Sequence, residues 1–211
     1  MNKTLDVAEA STKPTLPGTV PFKTKGVHHM AFVSRDMDET VRFYTGVMGF
    51  PLVVTLQLPP SDPFPGVVPG NLSGAKHYFF DIGNGDRLAF FWCPNEKLAP
   101  DFAKAGAGNH IAFAVDTIEE LETAARHLKE NGVRVHAEID HSFCRSIYFE
   151  DPNGITLELA VYEQPWTAEY PFLQDENPVP AARALLGDKQ MKFLRRFDEH
   201  GNANVIYNEN A

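Results

Sequence analysis

Residues 139–160 read Ile-Asp-His-Ser-Phe-Cys-Arg-Ser-Ile-Tyr-Phe-Glu-Asp-Pro-Asn-Gly-Ile-Thr-Leu-Glu-Leu-Ala, and this stretch decides the fold. The β-forming residues 147–149 are followed by Asp151-Pro152-Asn153-Gly154, which is typical of a tight turn because proline presets φ and Asn-Gly tolerates positive φ. The extended segment 155–160 then holds a single charge, Glu158. A carboxylate inside an apolar strand is costly unless it is paired, hydrogen-bonded or bound to a metal. The stretch therefore predicts a β-hairpin in which Glu158 requires a partner.

The order of elements before this hairpin occurs twice along the chain. The patterns predict a strand at 26–34, a helix at 36–48 and strands at 51–58, 77–81 and 87–92, then a strand at 109–115, a helix at 117–131, a strand at 133–139 and the hairpin. Both helices begin with a capping box, Asp36 with Glu39 and Thr117 with Glu120. Residues 28–41 and 109–122 align without a gap, which places His29 on His110. Internal duplication predicts an α+β fold of two tandem βαβββ modules.

This duplication sets the predicted organisation of the chain. We expect an N-terminal tail at 1–25, a first module at 26–95, a linker at 96–108, a second module at 109–162 and a C-terminal tail at 163–211 with a helix between 181 and 197. Within the first module, residues 59–75 form a long loop rich in proline and glycine. A loop of that length in a compact domain is more often functional than idle.

Composition excludes several classes of function. The formal net charge of −9 disfavours nucleic acid and anionic membranes as partners, since both attract a basic face. No apolar run approaches the length of about 20 residues that a membrane span needs, and residues 1–20 lack the apolar core of a signal peptide. Cys93 and Cys144 do not make a disulfide framework. We expect a cytoplasmic protein with free thiols.

Three residues have the pattern of metal ligands. Alternate side chains of a strand share a face, so His29 lies beside Ala31, His110 beside Ala112, and Glu158 beside Ala160, where the small neighbours leave room. Two equivalent histidines and one strand-borne glutamate fit a 2-His-1-carboxylate metal set. His28, on the opposite face, is the alternative to His29.

The equivalent of Glu158 in the first module is Ala89, by alignment of the two Asn-Gly turns. The first module therefore supplies one ligand instead of two. This leaves coordination positions open, as an Fe(II) centre that uses O₂ requires, whereas a site closed by four protein ligands would suit zinc better.

The duplicated unit with strand-borne His, His and Glu resembles the vicinal oxygen chelate superfamily. That superfamily includes glyoxalase I, bleomycin- and fosfomycin-resistance proteins, methylmalonyl-CoA epimerase and type I extradiol dioxygenases. The resemblance covers residues 26–162 and implies an open, cupped, mixed β-sheet. Within it, the quoted stretch resembles the ring-cleaving extradiol signature, carried here by His141, Ile147-Tyr148, Asp151-Pro152-Asn153-Gly154 and Glu158. Arg-Ser-Ile-Tyr-Phe before the turn also resembles the hydroquinone-cleaving branch.

The resemblance implies roles for these residues. His29, His110 and Glu158 would hold Fe(II), less often Mn(II), with zinc or nickel less favoured. His141 would lie near bound O₂ or substrate, and Tyr148 would hydrogen-bond a substrate oxygen. The partners implied are a small aromatic substrate, O₂ and a second copy of the chain in a homodimer, because the two halves pair within one chain or swap between chains in this superfamily.

One position departs from the catechol-cleaving pattern. Extradiol enzymes of that type carry an acid–base histidine on the last strand of the first half, where this chain has residues 86–88, Asp-Arg-Leu. The nearest substitute is His77 on the preceding strand, which aligns with Ser146 and shares a face with Phe79. A histidine with a pKa near neutrality could take the substrate proton.

The resemblance leaves three classes of function open. The first is an Fe(II)-dependent dioxygenase that cleaves a dihydroxylated aromatic ring of the catechol or hydroquinone type. The second is a metal-dependent lyase, isomerase or epimerase that stabilises an enolate-like intermediate, although Ala89 counts against glyoxalase I in particular. The third is a small-molecule-binding resistance protein without catalysis, against which the retained His-His-Glu set argues.

Overall fold

The computed structural model describes residues 24–61, 72–94, 108–141, 143–162, 179–186, 195–197 and 203–205. Contacts divide the chain into two compact units, residues 25–165 and residues 1–24 with 166–211, and the first of these contains both predicted modules. Most of the predicted N-terminal tail, the interior of the loop at 59–75 and most of the predicted linker lie outside the described residues. The predicted domain boundaries therefore stay predictions.

Both modules have the predicted βαβββ order. The first consists of β1 (Met30–Val33), α1 (Met37–Arg42) continuing as a π-helical turn (Phe43–Val47), β2 (Leu52–Gln57), β3 (Lys76–Gly83) and β4 (Asp86–Trp92). The second consists of β5 (His110–Val115), α2 (Ile118–Glu130), β6 (Ala137–Asp140), β7 (Cys144–Glu150) and β8 (Thr156–Tyr162). No helix among the described residues is both long and apolar enough to cross a membrane.

Each module forms a four-stranded mixed sheet. The strand order is β1-β4-β3-β2 in the first and β5-β8-β7-β6 in the second. The first strand of each module runs parallel to the last, and the other neighbours are antiparallel. Within the described sheets, β1 and β5 therefore each have a neighbour on one side alone.

The register of the hairpins confirms the alignment of the modules. Phe79 pairs with Ala89 in the first sheet, and Tyr148 pairs with Glu158 in the second. Asn84 adopts the positive φ of 51° that the predicted Asn-Gly turn requires. Ala89 is thus the structural counterpart of Glu158, as the sequence predicts.

The two helices begin where the capping boxes predict. The Asp36 carboxylate accepts hydrogen bonds from the backbone N–H groups of Asp38 and Glu39. The Thr117 hydroxyl accepts one from Glu120 N–H at 3.1 Å, which satisfies a backbone donor that would otherwise lack a partner.

One apolar core is shared by both modules. It is built from residues of the strands and helices whose side chains point to the helix side of each sheet: Met37, Phe43, Tyr44, Phe80, Leu88, Phe90, Ile111, Phe113, Leu121, Leu128, Ile147, Phe149, Ile155, Leu157, Leu159 and Val161. The rings of Phe50 and Phe113 meet across the modules at 5.2 Å. Because neighbouring strand residues point to opposite faces, the alternate residues, including His110 and Glu158, lie on the faces turned away from this core.

A buried polar network also joins the modules at the Asp-Pro-Asn-Gly turn. The Tyr44 hydroxyl donates to Asp151 Oδ2 at 3.0 Å, and Asn153 Nδ2 donates to Thr40 Oγ1 at 3.1 Å. The backbone N–H of Arg35 donates to Asn153 Oδ1 at 2.9 Å. Burial raises the pKa of Asp151, while the hydrogen bonds that its carboxylate accepts oppose that rise.

Three predicted elements differ from the structure. The strand expected at 26–34 is β1, which begins only at Met30. The strand expected at 133–139 is β6, which begins only at Ala137, paired with Tyr148, and ends at Asp140. The helix expected at 181–197 is α3 (Pro180–Leu186), which begins with the proline that a first helical position tolerates and is followed by Gly187. Its expected end is wrong, since β9 (Arg195–Phe197) is a strand paired antiparallel with β10 (Ala203–Val205).

Candidate metal centre

The second module brings two of the predicted metal ligands together. His110 at the start of β5 and Glu158 in the middle of β8 approach with Nε2 and Oε2 2.8 Å apart. The Glu158 side chain is 6% exposed and that of His110 is 32% exposed. Two ligand atoms at right angles on one metal, each about 2.1 Å away from it, lie about 3 Å apart. The pair therefore has the spacing of adjacent ligands, and as it stands His110 Nε2 donates to the carboxylate.

A tyrosine and a histidine extend this pair. Tyr148 lies directly opposite Glu158 on β7, and its hydroxyl is 2.9 Å from His141 Nε2. Burial, together with the charge and the hydrogen bond of Glu158, raises the pKa of Tyr148 to about 12. The phenol thus keeps its proton at neutral pH. Because a carboxylate only accepts, Tyr148 donates to Glu158, and His141 Nε2 donates to the phenol oxygen.

The first module holds a separate group of histidines. His29 Nδ1 lies 2.8 Å from His28 Nδ1, and the His29 ring is 5.4 Å from Phe79 and 6.4 Å from His77. His77 stacks on Phe91 at 3.6 Å, as its cross-strand neighbour. Sequence reasoning placed His28 on the opposite face and did not anticipate its contact with His29. The contact arises because both residues precede the start of β1, where strand alternation does not yet apply.

Among the side chains that the structure describes, a single buried nitrogen or oxygen atom lacks a hydrogen-bond partner, and it belongs to His77. The residue is 9% exposed, and the orphaned atom is Nε2. Burial, and next the neighbouring His29, lower the pKa of His77 to about 4. The imidazole is therefore neutral at neutral pH and a weaker base than a free histidine.

The structure does not bring all three predicted ligands together. Among the described residues, no group of three or more His, Cys, Asp or Glu side chains is close enough to hold one metal ion. His29 therefore does not join His110 and Glu158 within one chain. The apolar core holds residues of both modules, and His110 and Glu158 lie on the face of their sheet that points away from it.

A cavity of about 780 Å³ lies between the modules beside β5. Its walls include Met48 and Phe50 from the first module, and Phe113 with the small residues Ala112 and Ala114 from β5. The predicted metal ligands and catalytic residues do not line it. Among the nearby aromatic residues of the first module, Phe90 belongs to the core and Phe32 packs against it, whereas Phe79 and Phe91 flank His77.

Sequence reasoning missed the residues that anchor the Asp-Pro-Asn-Gly turn. The turn itself was predictable, but its partners Thr40 and Tyr44 lie more than 100 positions earlier. Tyr44 falls within the helix expected at 36–48, and only its hydroxyl could have signalled a polar partner.

Similar proteins support the family assignment. A protein of Arabidopsis thaliana named Glyoxylase I 4 is 26% identical over 139 residues, which cover 66% of this chain and 72% of that protein. Biphenyl-2,3-diol 1,2-dioxygenase 2 of Rhodococcus globerulus is 31% identical over 75 residues, or 36% of this chain. That match spans only 39% of the dioxygenase, so the chain corresponds to well under half of this relative.

A solved structure shows the same fold. The glyoxylase/bleomycin resistance protein/dioxygenase domain from Frankia sp. EAN1pec matches with a TM-score of 0.54 at 17% identity, over 67% of this chain and 95% of that one. The family model for the Glyoxalase/Bleomycin resistance protein/Dioxygenase superfamily matches residues 26–159, which takes in both βαβββ modules. This chain is thus a member of the Glyoxalase/Bleomycin resistance protein/Dioxygenase superfamily.

Proposed function

We propose that this protein is an Fe(II)-dependent dioxygenase that cleaves the ring of a dihydroxylated aromatic, of the catechol or hydroquinone type, with O₂. The observation that carries the proposal is the His110–Glu158 pair, at 2.8 Å, with Tyr148 and His141 in hydrogen-bond contact beside it. A pair of metal donors next to a protonated phenol and an imidazole can bind a metal and manage protons at one place. The relative from Rhodococcus globerulus, which is named a biphenyl-diol dioxygenase, supports this choice within the superfamily.

The donor set of the second module fits a divalent metal. His110 and Glu158 would hold it, with Fe(II) as the proposed ion and Mn(II) as the alternative. The metal would serve as a template and Lewis acid for the oxygens of the two substrates. Ala89 replaces the carboxylate at the equivalent position of the first module, so coordination positions stay open for those oxygens.

The neighbouring side chains would handle protons at defined atoms. The Tyr148 phenol is protonated at neutral pH and is placed to donate to Glu158 or to a substrate oxygen that replaces it. His141 Nε2, at 2.9 Å, can restore a proton to the phenol oxygen after such a transfer. Tyr148 also contacts His110 edge-to-face at 5.7 Å, which restricts the imidazole orientation.

We further propose that two copies of the chain complete the metal site. The third ligand, His29, lies on the other module and on a face turned away from the shared core. A symmetric pairing of β1 from one chain with β5 from another would bring His29 of the partner subunit to His110 and Glu158. Both strands are edges of their described sheets, and the small side chains of Ala112 and Ala114 on β5 leave room for such an approach.

The test combines metal analysis with oxygen uptake. After anaerobic loading with Fe(II), the wild type should bind about one iron per chain and consume O₂ with members of a catechol and hydroquinone panel. The variant Glu158→Gln should lose both properties, because a neutral amide replaces the carboxylate ligand. Glu150→Gln on the same hairpin changes an exposed carboxylate and serves as the matched control. A Glu158→Gln protein that keeps both its iron and its oxygen uptake would refute the proposal.

A metal-dependent lyase or isomerase is the second candidate. The match to the Arabidopsis protein named Glyoxylase I 4 favours it, because that match extends over 139 residues, or 66% of this chain. This activity needs no O₂ and tolerates metals such as zinc, nickel or manganese. Stoichiometric binding of one of these metals without oxygen uptake on the panel would favour this candidate over the dioxygenase.

A further inference from the structure

We infer that His28 is a positioning residue that orients His29 for metal binding. The inference rests on the proposed metal site and adds to it a residue of the chain that is not itself a ligand. Its basis is the hydrogen bond between His28 Nδ1 and His29 Nδ1, which are 2.8 Å apart, with the rings edge-to-face at 74°.

This hydrogen bond restricts the tautomer of both rings. A neutral imidazole has one N–H donor and one bare acceptor nitrogen, so a bond between two Nδ1 atoms requires a donor on one ring and an acceptor on the other. When His29 is the donor, its proton is on Nδ1 and its Nε2 lone pair is available for a metal. Metal-binding histidines commonly donate their second ring N–H to an acceptor, which fixes both the tautomer and the ring orientation.

The environment of the two rings distinguishes the ligand from its partner. His29 contacts Phe79 and His77 on the face of the first sheet that corresponds to the His110 face of the second. It is also the residue that aligns with His110. The His28 ring contacts His29 itself, so we assign it the supporting role.

The same 2.8 Å spacing would also suit two ligands of one metal, and substitution separates the two roles. In His28→Asn, the amide Oδ1 can accept a hydrogen bond near the position of Nδ1, but asparagine is a poor ligand for transition metals. In His28→Ala, the side chain can neither accept a hydrogen bond nor bind a metal. Mn(II) serves as the probe, and its affinity for the full-length chain is measured by electron paramagnetic resonance, independently of turnover.

We expect His28→Ala to weaken Mn(II) binding by about 10–100-fold, the usual loss when the hydrogen-bond partner of a metal ligand is removed. His28→Asn should stay close to the wild type, and His29→Ala gives the value for loss of the ligand itself. Because His28 is exposed, both variants should unfold at the same urea concentration as the wild type.

Three results would overturn the inference, and they are distinguishable. Wild-type affinity in His28→Ala would remove the supporting role while leaving the metal site intact. Equal losses in His28→Ala and His28→Asn would make His28 a ligand instead of a partner. A wild type that binds no Mn(II) would remove the proposed metal site and the inference with it.

Discussion

At the residue scale, the surroundings of His77 determine the pKa and the hydrogen bonding of its imidazole. Its ring is stacked on Phe91 and lies 4.3 Å from Phe79, and its Nε2 is buried without a partner among the described residues. A buried polar atom that loses its hydrogen bonds to water costs about 1–3 kcal/mol. The sequence predicted an acid–base role for this histidine, and that role stays a prediction. Because burial lowers the pKa of His77, the effect of this burial on the free energy of unfolding can be measured separately from any catalytic role.

The variant His77→Phe tests the cost of this burial. We expect it to raise the free energy of unfolding by about 1 kcal/mol at pH 7.5, because an apolar ring replaces the unsatisfied nitrogen. Between about pH 6.5 and 4 the unfolded chain binds a proton that folded His77 excludes, so wild-type stability falls as the pH drops through this range. The advantage of the variant should therefore be larger at pH 5.5.

Urea unfolding at the two pH values measures this effect, with His136→Gln, a change at an exposed histidine, as the control. His29, whose charge also lowers the pKa of His77, is unchanged in both variants. A stability gain that is absent, or that shrinks at pH 5.5, would show that Nε2 has a partner in solution.

At the scale of elements, the Asp-Pro-Asn-Gly turn links the last hairpin to the first helix. Asp151 accepts hydrogen bonds from the backbone N–H groups of Asn153 and Ile155 and from the hydroxyl of Tyr44. The turn thus fixes where β8 begins and also attaches this end of the second module to α1. A motif that looks local in the sequence contributes to the packing of the two modules.

Tyr44→Phe removes the hydroxyl of this link and keeps the ring. We expect the free energy of unfolding to fall by about 1–3 kcal/mol, because a buried carboxylate loses a donor. Tyr78→Phe, a half-buried tyrosine on β3, is the control and should change stability by less. The measurement is urea unfolding at pH 7.5, and equal effects of the two variants would show that the Tyr44–Asp151 bond contributes nothing specific.

At the scale of the whole molecule, the central fact is that one continuous core serves both modules. Within one chain, His29 is not close enough to His110 and Glu158 to share a metal with them. The proposed metal site would therefore be completed by a second copy. In a symmetric dimer, the ligands of each site come from two chains, and each chain contributes to two sites.

Mixing two inactive variants tests this assembly. His29→Ala and Glu158→Gln should each lose Mn(II) binding as pure proteins. When they are unfolded together and refolded, half of the dimers are mixed and one of the two sites in each is intact, so about a quarter of the sites should bind Mn(II). Light scattering measures the oligomeric state in parallel. A monomer, or a mixture that recovers no binding, would contradict a site shared between chains.

The local and repeated features of this protein could be predicted from its sequence. The duplication, the strand alternation, the capping residues Asp36 and Thr117, and the Asn-Gly turns each depend on neighbours a few positions apart, and the structure confirms the elements that they predict. The equivalence of Ala89 with Glu158 followed from the turn alignment in the same way.

Only the tertiary structure decided how the two modules face each other. Strand periodicity assigns a residue to one of two faces, but it does not say which faces of two sheets meet. That choice depends on the packing of distant apolar residues such as Phe50 and Phe113, and on the bond between Tyr44 and Asp151. For this reason the sequence could place His110 and Glu158 in one ligand set, whereas the separation of His29 from them within one chain is visible only in the tertiary structure.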